Sequence, residues 1–297
     1  MDHPFDRSGL ASLEDLQTPE WRSLFDELRP LQDEFLAVHP HSAEYIWPRD
    51  ALHTWSRVWE YPYVYHHLRT RRDGLCSKGG RPVAVDFGSG VTFFPFAICR
   101  SGFEVVCIDQ DPVCRQDIQR TAASLPSIEG HVSFQPTEGG SLPLSDQSVD
   151  AVYSISVLEH VPEHAPLVDE FARVLSPGGL LLLTVDINLE REASSGIGPD
   201  AYASLLCSLG RYFGFEHPRL PVHPAVALTS ARGPYPANSM SGLKAVWWTA
   251  KQEIIKPLIG RARAVPTQFA CEGLILRRLG DRGNRVPECV RSSQDGC

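Results

Sequence analysis

The spacing of apolar residues along this chain changes twice, dividing it into three stretches of different character. From about Ser12 to Arg72 the apolar positions recur at helical intervals, with no strand alternation. Trp21, Leu24, Phe25 and Leu28 form one such stripe. Thr18-Pro19-Glu20 supplies a helix start: a capping hydroxyl, then a proline whose missing N–H costs nothing in the first turn. Pro30 is expected to break or kink that helix. An aromatic-rich stretch follows from Trp55 to His67, and the hydrophilic TRRDGLCSKGGRP after it reads as a linker.

From Pro82 to Val185 short apolar runs alternate with helical segments. Strands are expected at Val83–Phe87, Glu104–Asp109, Val132–Gln135, Val149–Ile155 and Leu180–Val185. Helices are expected to start near Thr92, Asp111 and Glu163, with Asp111-Pro112 repeating the cap-then-proline signal. Such alternation implies an α/β fold, a parallel sheet covered by helices on both faces. Its strands read as continuous apolar runs because neither face meets water.

Beyond Asp186 the pattern weakens. A helix is expected near Pro199–Leu209, irregular chain over His217–Ser239, a helix with paired tryptophans over Leu243–Ile259, and a last strand over Cys271–Leu279. The polar tail past Gly280 is expected to be disordered. The resulting division is an N-terminal helical extension (1–80), a main domain (81–280) with an insertion or cap at 231–268, and a tail (281–297).

Charge and cysteine content narrow the options. A formal net charge of −8 argues against a nucleic-acid partner, since neutralising phosphates requires a basic face. None of the eight cysteines falls at two-residue metal-ligand spacing, and several sit in apolar runs such as FAICR and VVCID. The opening residues MDHPFDRSGL carry no leader-like pattern, and no apolar run is long enough to span a bilayer. A reduced, cytoplasmic protein is the expectation. The histidine pairs His66-His67 and His39/His41 are expected to pack or lie at the surface, not to hold metal.

Candidate chemistry centres on VAVDFGSG, an apolar strand ending in an acid and a glycine turn. Gly88 and Gly90 let the backbone approach a ligand lying across the strand's carboxyl end, where open α/β sheets bind their ligands. Asp109 ends the next strand and is placed to accept hydrogen bonds from ribose hydroxyls. A nicotinamide dinucleotide would call for a third glycine, which is absent. Asp86, two residues before Gly88, would repel a pyrophosphate and attract an ammonium or sulfonium group.

Further along, SLPLSDQSVDAVYSISVLEHV and ARVLSPGGLLLLTV resemble the class I S-adenosylmethionine-dependent methyltransferases, small-molecule type, over Pro82 to about Val185. The resemblance implies a Rossmann-like, doubly wound, mostly parallel seven-stranded sheet with an N-terminal helical lid and C-terminal additions. It implies S-adenosylmethionine as cofactor, with Asp86, Gly88, Ser89 and Gly90 at its methionine end. Asp109 would hold the ribose and Gln110 the adenine. Glu138 and Gly139 would stand near the adenine amino group, and Ser154, Ser156 and Val157 under the methionyl portion. Pro177-Gly178-Gly179 would be a shaping turn. Ubiquinone-type relatives carry a further acid three residues before the glutamate of LEH; here Ser156 stands there, so no metal is expected.

The implied reaction is methyl transfer to oxygen, nitrogen or carbon of a small-molecule metabolite. Alternatives are a sugar or lipid-linked glycan acceptor, and a non-catalytic binder of the cofactor. His160 is the candidate general base, because imidazole titrates near neutral pH and follows the fourth strand. Tyr61 and Tyr63 are candidates for an aromatic lid that stacks an acceptor. Leu243–Ile259 is expected to pack on its own protein, with no peripheral membrane contact.

Overall fold

The computed structural model describes residues 3–39, 42, 44, 48–75, 80–125, 132–138, 140–189, 196–237 and 268–280. The expected helix over Leu243–Ile259, most of the 231–268 insertion and the 281–297 tail lie outside these residues.

The strands are β1 (Gly9–Leu10), β2 (Val83–Phe87), β3 (Glu104–Asp109), β4 (Val132–Pro136), β5 (Val149–Ile155), β6 (Leu175–Asn188), β7 (Phe213–Phe215) and β8 (Phe269–Arg278). They form one sheet in the order β1-β8-β6-β5-β2-β3-β4, with β7 also on β8. The pairs β2–β3, β3–β4, β2–β5 and β5–β6 are parallel, whereas β8 runs antiparallel to β6. The seven strands implied by the resemblance are therefore present, and the two-residue β1 adds an eighth. Leaving β2, the chain winds outward through β3 and β4, then returns to β2's other side as β5. Strand order reverses there, which opens a crevice at the carboxyl ends of β2 and β5.

Side-chain alternation along the strands splits the interior into two cores. Ala84, Ala151, Tyr153, Leu180, Leu182 and Ile275 face one side, under α1 (Pro19–Val38), α2 (Arg57–Leu75), α3 (Phe94–Arg100) and α4 (Pro112–Ser124). Val85, Val152, Leu181, Leu183 and Leu274 face the other, under α5 (His164–Val174) and α6 (Pro199–Leu209). Two buried faces explain the unbroken apolar runs of the central strands.

Helix starts follow their capping chemistry. Thr18 Oγ1 accepts from Trp21 N–H at 3.2 Å ahead of α1, and Asp111 Oδ1 accepts from Val113 N–H at 2.9 Å ahead of α4. Of the break or kink expected at Pro30, the break does not occur: α1 runs through it. Both Pro30 and Asp26, whose carbonyl loses its donor, are exposed, which leaves that carbonyl open to solvent. Leu28, Gln32 and Phe35 on the buried face hold the helix together across it. The expected linker is likewise overruled at its start, because α2 continues to Leu75. Pro177-Gly178-Gly179 interrupts a pairing: Leu175 pairs with Val149 and Leu180 with Ala151, so residues 176–179 bulge out between them.

Helix α2 is buried on nearly every side from Val58 to Leu68, because it lies between the sheet, α1 and the chain's first residues. Its aromatics pack on β8 where Gly273 leaves room: a Cβ there would stand 2.7 Å from the Trp59 and Tyr63 rings. Trp59 Nε1 donates to Asp15 Oδ2 at 2.7 Å, and Asp15 also pairs with Arg7 at 2.7 Å. Tyr63 Oη donates to the Arg7 carbonyl at 2.9 Å. The N-terminal segment is thus tied to α2, and β1 adds its own pairing to β8. His66 and His67 are buried in this packing, His66 stacked on His3 with ring centroids 3.6 Å apart.

Gly273→Ala should therefore destabilise the fold by about 1–3 kcal/mol through overpacking against Trp59 and Tyr63. Chemical denaturation is the check; an unchanged midpoint would show that α2 can move off β8 freely.

Candidate active site

The turn after β2 is shaped by backbone geometry that only glycine adopts easily. Gly88 has φ 71° and Gly90 φ 52°. A Cβ on Gly88 would fall 2.4 Å from the Val157 side chain, so the turn lies flat against the chain leaving β5. Both Gly88 N–H (2.8 Å) and Ser89 N–H (3.2 Å) donate to the Ile108 carbonyl. Gly90 N–H donates to Asp109 Oδ2 at 2.8 Å, and Asp111 N–H donates to Asp109 Oδ1 at 3.0 Å. Asp109 therefore fixes the glycine turn while Asp111 caps α4, a division of labour between neighbouring acids.

These residues border a cleft of about 980 Å³. Asp86, Gly88, Ser89, Gly90, Asp109, Gln110, Ser156, Val157, His160 and Tyr61, all singled out in the sequence, line it together. Other expected residues stand elsewhere. Ser154 is fully buried and donates from Oγ to the Phe87 carbonyl at 3.0 Å, tying β5 to the end of β2 behind the cleft. Tyr63 faces the N-terminal segment, as described above. Glu138 is exposed and outside the lining, to which its neighbours Thr137 and Gly140 contribute. Gly139 lies outside the described residues.

Charge is unevenly distributed around the cleft. Among its described lining residues, Asp86, Asp109, Asp111, Glu159, Glu163 and Asp186 face a single arginine, Arg57. Arg57 Nη1 donates to Ser156 Oγ at 2.7 Å and also contacts Glu60, which is fully buried. Ser156 Oγ in turn donates to Glu60 Oε1 at 2.7 Å, while its backbone sits at φ 48°, a left-handed conformation uncommon for serine. Burial alone would raise the Glu60 pKa, but Arg57 and the Ser156 hydroxyl outweigh it, so Glu60 stays ionised. Arg57's charge is thereby matched.

Asp86 has no such partner. Burial, reinforced by Asp109, pushes its pKa up to about 8, against the weaker opposing pull of Tyr153 and Arg57. Tyr61 stacks on Phe94 with centroids 4.6 Å apart, and burial pushes its hydroxyl up to about 12, so it remains a neutral aromatic wall.

Sequence reasoning missed Arg57, Glu159 and Asp186. Asp186 sits near the end of a buried parallel strand, the same signal that marked Asp109, and was legible by that rule. Arg57 comes from α2, far away in sequence, and had no signal. His160 is exposed at the cleft's rim, following Val157 in a 3-10 turn (Leu158–His160).

Ligand atoms of possible metal-binding type come together twice among the described residues, at Asp6, His66 and His67, and at Glu60, Asp186 and Cys271. Each group already faces a guanidinium. Arg71 donates to His67 Nδ1 at 3.1 Å, and Arg57 contacts Glu60.

Residues 85–183 match the family described as a methyltransferase domain. An uncharacterized methyltransferase of Mycobacterium sp. (strain JLS) is 38% identical over 111 residues, covering 37% of this chain and 41% of the relative. Another, from Mycobacterium ulcerans (strain Agy99), is 32% identical over 136 residues, covering 46% of this chain and 51% of the relative. The chain thus spans about two-fifths to one-half of these relatives' length. The crystal structure of the [4+2]-cyclase SpnF shares the fold, with a TM-score of 0.52 and 18% identity over 92% of this chain and 100% of that one. Residues 85–183 thus match a methyltransferase domain, carried on a Rossmann-like, mostly parallel sheet whose strand order reverses at the glycine turn.

Proposed function

We propose that this protein transfers a methyl group from S-adenosylmethionine to a small-molecule acceptor bound in the same cleft. The observation that carries the reading is the buried Asp86 carboxyl, with no ion-pair partner among the described residues, beside a glycine turn that Asp109 holds by its backbone N–H. A cofactor bearing an ammonium and a sulfonium supplies the positive charge that the cleft's described lining lacks. Gly88 and Gly90 give its methionine end room, and Ser89 borders the same space. Asp109, each of whose oxygens accepts one backbone N–H, keeps lone pairs for ribose hydroxyls, and Gln110 lies beyond it toward the adenine.

When bound, the cofactor supplies an electrophilic methyl group already activated by its sulfonium. What remains for the protein is to align the acceptor, exclude water and take up a proton. Alignment alone is worth up to about 7–11 kcal/mol of the barrier in well-oriented reactions. Tyr61 and Trp55 provide an aromatic wall for the acceptor, and Pro48, Ala51, Val161 and Pro162 provide apolar surface. The cleft's acidic lining disfavours a polyanionic acceptor, and no described helix is long and apolar enough to cross a membrane.

Calorimetry with S-adenosylmethionine, S-adenosylhomocysteine and NAD should show binding of the first two and none of the third. Asp109→Ala should weaken S-adenosylhomocysteine binding about 10- to 100-fold, the cost of hydrogen bonds to a charged acceptor. Undiminished affinity in that variant would remove the reading.

The Asp86 proton gives a second test. Below pH 8 the empty site holds that proton, and an ammonium group must displace it. Affinity for S-adenosylhomocysteine should therefore rise by up to about tenfold per pH unit between about pH 6 and 8, then level off. Asp86→Asn should bind more weakly and lose this slope.

A further inference from the structure

Two carboxyl groups in the cleft take no part in the cofactor contacts proposed above. Asp186 belongs to the carboxyl end of β6, two strands across the sheet from the glycine turn, and Glu159 sits in the turn after β5. Both line the cleft. Yet Asp186 Oδ1 and Glu159 Oε2 are shielded from solvent and have no hydrogen-bond partner. A buried polar atom without a partner is costly, and a charged one more so. Either a proton or a donor carried in by a ligand relieves it.

Every neighbouring charge that bears on Asp186 can be named. From α2, Arg57 and Glu60 face it; from β8, Cys271; from the β5 end, the Ser156 hydroxyl; and Glu159 from the adjoining turn. Arg57 is engaged by Glu60 and Ser156, and the Cys271 thiol, raised by burial and Glu60, stays protonated and points its Sγ to Glu60 Oε1 at 3.4 Å. Arg57 is the one cation among these groups, and its pull on Asp186 and Glu159 ranks behind burial and the neighbouring carboxylate. Burial, then Glu60, accordingly pushes Asp186 up to about 7. Burial, then Asp186 itself, holds Glu159 well above the usual carboxylate range.

We infer that Asp186 is the proton acceptor of the reaction, facing the transferable methyl group, with Glu159 as its proton-holding neighbour, and that the methyl acceptor is a neutral hydroxyl or amine. This rests on the cofactor reading above and assigns to Asp186 the part that sequence reasoning gave to His160. The acceptor's lone pair forms the new bond to carbon, and the carbon–sulfur bond breaks with its electron pair left on sulfur. The proton on the acceptor atom passes to the Asp186 carboxylate. No further reactant is needed.

The proposal can be tested without knowing the acceptor. Sinefungin carries a primary ammonium in place of the transferable methyl group, whereas S-adenosylhomocysteine has neither. Both carry the same amino-acid end, so the Asp86 effect cancels in their ratio. Calorimetry on the full chain at pH 8 should show sinefungin preferred by at least about tenfold, the gain of a charge-assisted hydrogen bond. The preference should fall as pH drops through about 7, where Asp186 takes up its proton. Asp186→Asn should abolish the preference and its pH dependence, while binding S-adenosylhomocysteine within about twofold of the parent.

If Asp186→Asn keeps both the preference and its pH dependence, the assignment is overturned. Loss of both in Glu159→Gln, with Asp186→Asn unaffected, would move the proton acceptor to Glu159 and overturn it equally. Failure of the parent protein to bind S-adenosylhomocysteine sinks the cofactor reading instead, and this one with it.

Discussion

Excess negative charge enclosed in a low-dielectric cleft is the constraint around which this structure is organised. Carboxylates attract and hold protons when burial strips their water and no cation replaces it. Glu60 escapes this by its contact with Arg57. Asp86, Asp186 and Glu159 do not escape, and each is shifted toward its neutral form. A cationic ligand would relieve this excess, so the proposed cofactor binding would be coupled to proton release.

The N-terminal helices belong to this arrangement as structure, not decoration. Helix α2 delivers Arg57 and Tyr61 to the cleft from one turn of helix, with Glu60 buried behind them, so its position sets the charge balance there. That position is fixed on its far side by Trp59 and Tyr63 against Gly273, and by Asp15 and Arg7 from the first residues of the chain. The same packing explains why α2 can be helical through Pro62 and buried almost all round. Its neighbours on the sheet, α1 and α3 contribute more than intrinsic helix propensity could.

Three left-handed backbone positions lie where strand order reverses: Gly88 and Gly90 after β2, and Ser156 after β5. Gly88 needs its conformation so that Val157 can lie against the turn. Ser156 is held in its own by hydrogen bonds to Arg57 and Glu60 on α2. Strained or uncommon backbone of this kind persists where surrounding contacts over-determine it, and it gathers at ligand sites. Here it brings the ends of two strands together on one wall of the cleft.

The sequence by itself determined the sheet's parallel core, because strands buried on both faces must be continuously apolar, and that pattern survives in one dimension. It also determined the capped starts of α1 and α4 and the pairing of Asp86 with the glycine turn, since each is written within a few neighbouring residues. Asp186 was legible by the rule that found Asp109. Only the tertiary structure decided the fate of Pro30 and Pro62, which burial of the helix faces overrode. It alone separated Tyr61, in the cleft, from Tyr63, two positions along the helix and turned toward the first residues of the chain. It alone brought Arg57 to Ser156 across 99 residues of chain. Local periodicity records which face of a segment is apolar; it carries no record of which other segment that face will meet, and the charge balance of the site depends on that meeting.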